Sequence, residues 1–212
     1  MNELLKLSGP AVKSSTNTKF LVIFLHGWGS DGNDLIQLAD YWKKDLKEAT
    51  FLSPHGPDEC SANPSGRQWF EINQGTNPNM IEEIYRSYKL LEDYINYHLK
   101  ENNLSANNYF LVGFSQGTML SIFYALRKKC LGVIGYSGAL IEGSAEKRTE
   151  KNDFLLIHGQ NDGVVPLNKL YEAEKSLKNL SNNVKTIEYQ NLEHSINEDG
   201  LIKGLDFIKK RI

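Results

Sequence analysis

Cysteine is scarce in this chain. Cys60 and Cys130 are the only two in 212 residues. Two thiols so far apart do not make a disulfide framework, so a reducing compartment is expected. Long apolar runs are also missing. Phe20–Leu25 is among the longest, and a membrane-spanning helix needs about 20 such residues. The opening MNELLKLSGPAVKSS has neither the apolar core nor the small-residue cleavage site of a secretory signal. These absences predict a cytoplasmic protein with no stable membrane anchor. Charge of one sign is missing too. Lys and Arg number 24 against 26 Asp and Glu, which leaves a net charge of −2. No basic run could track a phosphate backbone, so no nucleic-acid partner is expected. Proline is sparse and unevenly placed. Four of the 6 (Pro54, Pro57, Pro64 and Pro78) fall between residues 54 and 79.

What is present is ordinary for a globular protein, with 40% hydrophobic and 24% charged residues. There are no repeats and no low-complexity tracts, and the chain reads as a single domain over 1–212. Phe20–Leu25, Thr50–Ser53, Tyr109–Val112, Leu131–Tyr136, Phe154–Ile157 and Val184–Tyr189 read as short apolar strands. Helical spacing separates them at Leu35–Lys47, Met80–Glu101, Gln116–Lys129, Leu167–Leu180 and Glu198–Lys210, with Asp34 as a candidate N-cap of the first and Asn77 or Asn79 near the start of the second. A weaker N-terminal hairpin begins with a strand at Leu4–Leu7 and turns at Gly9-Pro10. Residues 142–152 are charged and loop-like. The alternation predicts an α/β fold with a mostly parallel central sheet and helices on both faces. Residues 54–79 read as an irregular excursion on the substrate side, in which Trp69 and Phe70 either pin the loop or line a pocket.

The sharpest local signal is Gly113-Phe114-Ser115-Gln116-Gly117, between a strand and a helix. Glycines two residues either side of a serine allow a tight turn that presents its hydroxyl. A serine hydroxyl is a weak nucleophile at neutral pH and needs a base. His194 follows the last strand and suits that role. His98 lies within a helix, and His26 and His158 each precede a glycine and read as turn formers. Asp162 follows a strand and could hold the imidazole in one tautomer. The order Ser115, Asp162, His194 is the order of α/β-hydrolase triads. Oxyanion stabilisation then needs two amides, and the backbone N–H groups of Gln116 and Trp28 are the candidates. Trp69 and Val165 are candidate pocket residues. Crowding by Trp28, Trp69 and Phe70 predicts short to medium acyl chains. A catalytically silent binding protein of the same fold is the alternative from another class.

HGWGSDGNDL at 26–35, SPHGP at 53–57, WFEI at 69–72, GFSQGTML at 113–120, HGQNDGVVP at 158–166 and EHSI at 193–196 together resemble the carboxylesterase, lysophospholipase and acyl-protein thioesterase family of small α/β-hydrolases. The resemblance runs from about residue 20 to the C-terminus. It implies an α/β-hydrolase fold without a separate cap domain, and a serine hydrolase acting through Ser115, Asp162 and His194. Its substrates would be small-molecule esters, lysophospholipids or acylated proteins. It implies no metal and no cofactor, and leaves room for a homodimer. Glu193 departs from the glycine usual before the histidine. Its carboxylate would raise the basicity of His194 if it turned inward.

Overall fold

The computed structural model describes residues 6–72, 80–141 and 150–212. Seven strands form one sheet in the order β1-β3-β2-β6-β7-β8-β9. They are β1 (Ala11–Val12), β2 (Phe20–Leu25), β3 (Ala49–Leu52), β6 (Tyr109–Phe114), β7 (Gly132–Tyr136), β8 (Asp153–Gly159) and β9 (Asn183–Tyr189). Every pairing is parallel except that of β1 with β3. Strand β2, FLVIFL, is buried on both faces. Leu21, Ile23 and Leu25 enter one core, and Phe20, Val22 and Phe24 enter the other. An uninterrupted apolar run is what a strand sandwiched between helices requires.

Helices α3 (Met80–Glu101), α4 (Gln116–Ala125) and α5 (Asn168–Asn179) carry side chains of the first core. Helix α6 (Glu198–Lys209) and the short helices α1 (Gly32–Leu35) and α2 (Ala39–Trp42) contribute to the second. On α3 the buried residues Ile84, Tyr88, Leu91, Ile95 and Leu99 recur at steps of three and four, which makes one apolar stripe. Strand β9 is half-exposed at the sheet edge and carries Lys185 and Glu188, charges that discourage edge-to-edge pairing.

Five expectations change. The helix expected over 35–47 is two short helices joined by a 3-10 turn at Ile36–Leu38, and it begins earlier. Asp31, not Asp34, is the N-cap, because its carboxylate accepts the N–H groups of Asn33 and Asp34. Asp34 instead accepts the Ser30 hydroxyl at 2.6 Å. The N-terminal hairpin is not formed by the described residues: Lys6 and Leu7 are not in a strand, and β1 pairs with the distant β3. The helix after Ser115 ends at Ala125. The excursion at 54–79 is partly regular, since β4 (Asp58–Cys60) and β5 (Asn63–Gln68) make an antiparallel ribbon. Its proline, glycine and lack of alternation hide it from pattern reading. Leu4, Leu5, Asn77, Asn79 and 142–149 lie outside the described residues. Among the described residues no helix is long and apolar enough to cross a membrane.

Candidate active site

Ser115 sits between β6 and α4 with φ 53° and ψ −114°, a conformation that costs a non-glycine residue about 1–3 kcal/mol. The surrounding structure imposes it. Ser115 N–H donates to Tyr136 O at 2.9 Å, and Thr118 N–H and Met119 N–H donate to Ser115 O. The Thr118 hydroxyl also donates to Tyr136 O. Glycine is needed at 113 and 117 for space. A methyl group at 113 would overlap the first turn of α4, and one at 117 would overlap the Leu25 carbonyl oxygen. The serine is mostly buried, at 8% exposure.

Asp162 and His194 meet beyond the ends of β8 and β9. His194 Nδ1–H donates to Asp162 Oδ2 at 2.8 Å. The other carboxylate oxygen accepts Val164 N–H at 2.9 Å and Val165 N–H at 2.8 Å. Burial of Asp162 opposes its charge, but these three donors outweigh burial and hold its carboxyl below the usual range. The His194 ring lies 4.9 Å from that of Phe114, the residue before Ser115. Gly159 makes this approach feasible, because a side chain there would overlap the Leu192 and Glu193 carbonyls of the histidine loop. Glu193 is exposed, so its carboxylate does not turn inward against the His194 ring.

The loop after β2 passes beside the serine. A methyl group on Gly27 would stand 3.4 Å from Ser115 Cβ. Among the described residues, neither Trp28 N–H nor Gln116 N–H has an acceptor. The ribbon holds this loop as a neighbouring strand would. Gly29 N–H donates to Arg67 O at 3.0 Å and Arg67 N–H donates to Ser30 O at 2.7 Å. The Trp28 indole N–H donates to Gln68 Oε1 at 2.8 Å.

Two histidines expected to be plain turn formers are buried framework instead. His26 Nε2 accepts Gly56 N–H at 2.8 Å, so the ring's proton is on Nδ1 and is donated to Gly27 O. Burial lowers its pKa to about 4, which keeps it neutral. His158 is 1% exposed, and its Nε2–H donates to Val165 O at 2.8 Å.

Trp69 and Phe70 are buried and anchored, with exposures of 0% and 1%. Trp69 Nε1–H donates to His26 O at 3.0 Å. The Gln116 side chain clamps the same segment: its Oε1 accepts Trp69 N–H and its Nε2–H donates to Phe70 O. Only Trp28, partly exposed, remains of the three residues expected to crowd the mouth. Val165 is mostly buried, while Val164 beside it is exposed. The clamp by Gln116 and the spacing role of Gly159 escaped sequence reasoning. Their one trace was membership of GFSQG and HGQND.

Comparison with known proteins gives the family and the fold. A sequence profile of the phospholipase/carboxylesterase family matches residues 9–212. The esterase YpfH of Escherichia coli is 25% identical, covering 91% of this chain and 83% of its own. The acyl-protein thioesterase 1 of Gibberella zeae is 28% identical, covering 96% and 94%. Among solved structures, esterase PE8 superposes with a TM-score of 0.92 at 31% identity, covering 98% of this chain and 100% of that one. The chain therefore belongs to the phospholipase/carboxylesterase family, has the α/β-hydrolase fold, and is by that membership a carboxylic ester hydrolase.

Proposed function

We propose that Ser115 is the nucleophile, His194 the general base and Asp162 the orienting acid of an ester or thioester hydrolase. The observation that carries this reading is the Asp162 carboxylate, fixed by two amides and the His194 Nδ1–H, beyond the same C-terminal ends of the strands as the strained Ser115. With Nδ1–H committed to Asp162, Nε2 is the nitrogen left to take the serine proton. Ser115 Oγ then adds to the substrate carbonyl carbon. The resulting oxyanion is met by the N–H groups of Trp28 and Gln116, the second at the start of α4 where the helix dipole favours negative charge. Collapse of the tetrahedral intermediate expels an alcohol or thiol, which takes the proton from His194. Water, activated by the same imidazole, releases the acid from the acyl-enzyme.

The substrate class is a small-molecule ester, a lysophospholipid or an acylated protein. Relatives named as esterases and acyl-protein thioesterases support that range. We read the chain as one cytoplasmic domain that is able to form a homodimer. The test is hydrolysis of p-nitrophenyl butyrate together with labelling by a fluorophosphonate. Ser115→Ala should abolish both. Full turnover by that variant would refute the assignment, and a folded wild-type protein that is never labelled would favour a silent binding role.

A further inference from the structure

We propose that His158 is a positioning residue for this reaction: its Nε2–H holds the Val165 carbonyl, and with it the turn whose amides fix Asp162 against His194. The inference rests on the triad reading above. His158 lies at the end of β8, four residues before Asp162, at 1% exposure. Nε2 is 2.8 Å from Val165 O and 3.3 Å from Asp162 Oδ2. The Val165 carbonyl can only accept, so Nε2 carries the ring's proton. Val165 N–H in turn donates to Asp162 Oδ1. Imidazole, carbonyl, amide and carboxylate thus form one chain, which ends at His194 Nδ1.

The imidazole pays for this placement. Its Nδ1 is buried with no partner among the described residues, which costs about 1–3 kcal/mol. An apolar side chain of similar volume would avoid that cost and forfeit the Nε2–H. The alternative is that His158 merely fills space beside Thr118, Leu170 and Ala173. Filling space would not need a donor aimed at Val165 O.

Among the described residues, few charged groups stand near the ring. Asp162 faces it directly, and His194 acts on it through Asp162. Glu188 lies in register on β9, but its carboxylate accepts from Gln160 Nε2 at 3.0 Å. Helices α4 and α5 present Thr118, Leu170 and Ala173, none of which titrates.

Three variants separate the readings. His158→Gln places an amide N–H near the position of Nε2. His158→Asn is one bond shorter and places it near Nδ1. His158→Leu has no donor. Each is assayed for p-nitrophenyl butyrate hydrolysis across pH, beside Ser115→Ala. We expect the Leu and Asn variants to lose about 10- to 100-fold in kcat with KM little changed, the cost of a small misplacement near the chemistry. The acid limb of kcat/KM should move to lower pH, because an imidazolium less firmly paired with Asp162 loses its proton more easily. The Gln variant should recover most of kcat and the original profile. In the Ser115→Ala background, the downfield proton resonance of His194 Nδ1–H should broaden or shift with Leu and persist with Gln. Equal losses in Gln and Leu, or wild-type kcat and pH profile in all three, overturn the proposal. If the Leu variant fails to fold, the Asn and Gln pair decides alone. Turnover that survives in Ser115→Ala refutes the nucleophile itself, a different result, and takes this proposal with it.

Discussion

The two sides of the site are built differently. On one side, Ser115, Asp162 and His194 each stand just beyond a strand of the parallel sheet. On the other, the loop carrying Trp28 is held by a ribbon, a buried histidine and a glutamine clamp, all reaching across 30 or more residues of chain. The first side is positioned by the core itself. The second is positioned by hydrogen bonds that could be lost while the core survives. Substitutions on the first side should therefore change turnover with little effect on folding, and those on the second should change both.

The largest effect should come from Asp162→Asn, which keeps the shape and removes the charge. We expect kcat to fall by about 10³–10⁴ in steady-state assays, with a loss of melting temperature that is small beside that of the second-side variants. A large loss of stability would erase the contrast. Next is Gly66→Ala, whose new methyl group would overlap the Gly29 carbonyl and push the ribbon off the loop that carries Trp28. Turnover should fall by about 10²–10³, as for loss of one oxyanion donor. Unchanged turnover would separate the ribbon from the reaction. Gln116→Leu should then show the mixed signature. It strands Trp69 N–H and Phe70 O in the interior, which costs about 2–4 kcal/mol by chemical denaturation.

Acid should weaken the second side first. His26 has a lowered pKa of about 4 when folded, against 6.5 when unfolded. Between those values the unfolded chain binds a proton that the folded chain refuses. Stability is thus complete above pH 6.5 and falls on acidification by up to roughly 3 kcal/mol. Protonation would also remove the Nε2 lone pair that accepts Gly56 N–H. Asp162, held low, adds its own loss only at more acidic pH, as the pH falls through its folded pKa. His26→Gln should flatten the slope between pH 6.5 and 4 in equilibrium unfolding, and an unchanged slope would point to another group. The smallest effect is expected for Arg86→Ala. It breaks the half-exposed ion pair with Asp58 at the outer edge of the ribbon, and such pairs contribute about 0–1 kcal/mol.

This contrast also separates what could be read in advance from what could not. Strand β2 was legible because six consecutive apolar residues have no other soluble use. Ser115 was legible because two glycines at fixed offsets mark a sharp turn. Asp162 and His194 followed from chain order and from their places after strands. The ribbon was not legible, since β5 contains Pro64 and Gly66 and lacks alternation. Trp69 was read as a wall or a pin with equal reason, because an aromatic in a loop looks the same in either role. Only burial distinguishes them, and burial is a property of the whole fold.

By itself, then, the sequence determined the strand and helix alternation, the elbow and the order of Ser115, Asp162 and His194 along the chain. Each is encoded within a few residues of chain, where periodicity and steric demand act directly. Tertiary structure alone decided which histidines are framework, that Gln116 serves by its side chain as well as its amide, and that His158 stands behind Asp162. Those roles depend on which backbone groups lie opposite a side chain after folding. Hydrogen bonds between distant segments leave no periodic mark in the chain that makes them.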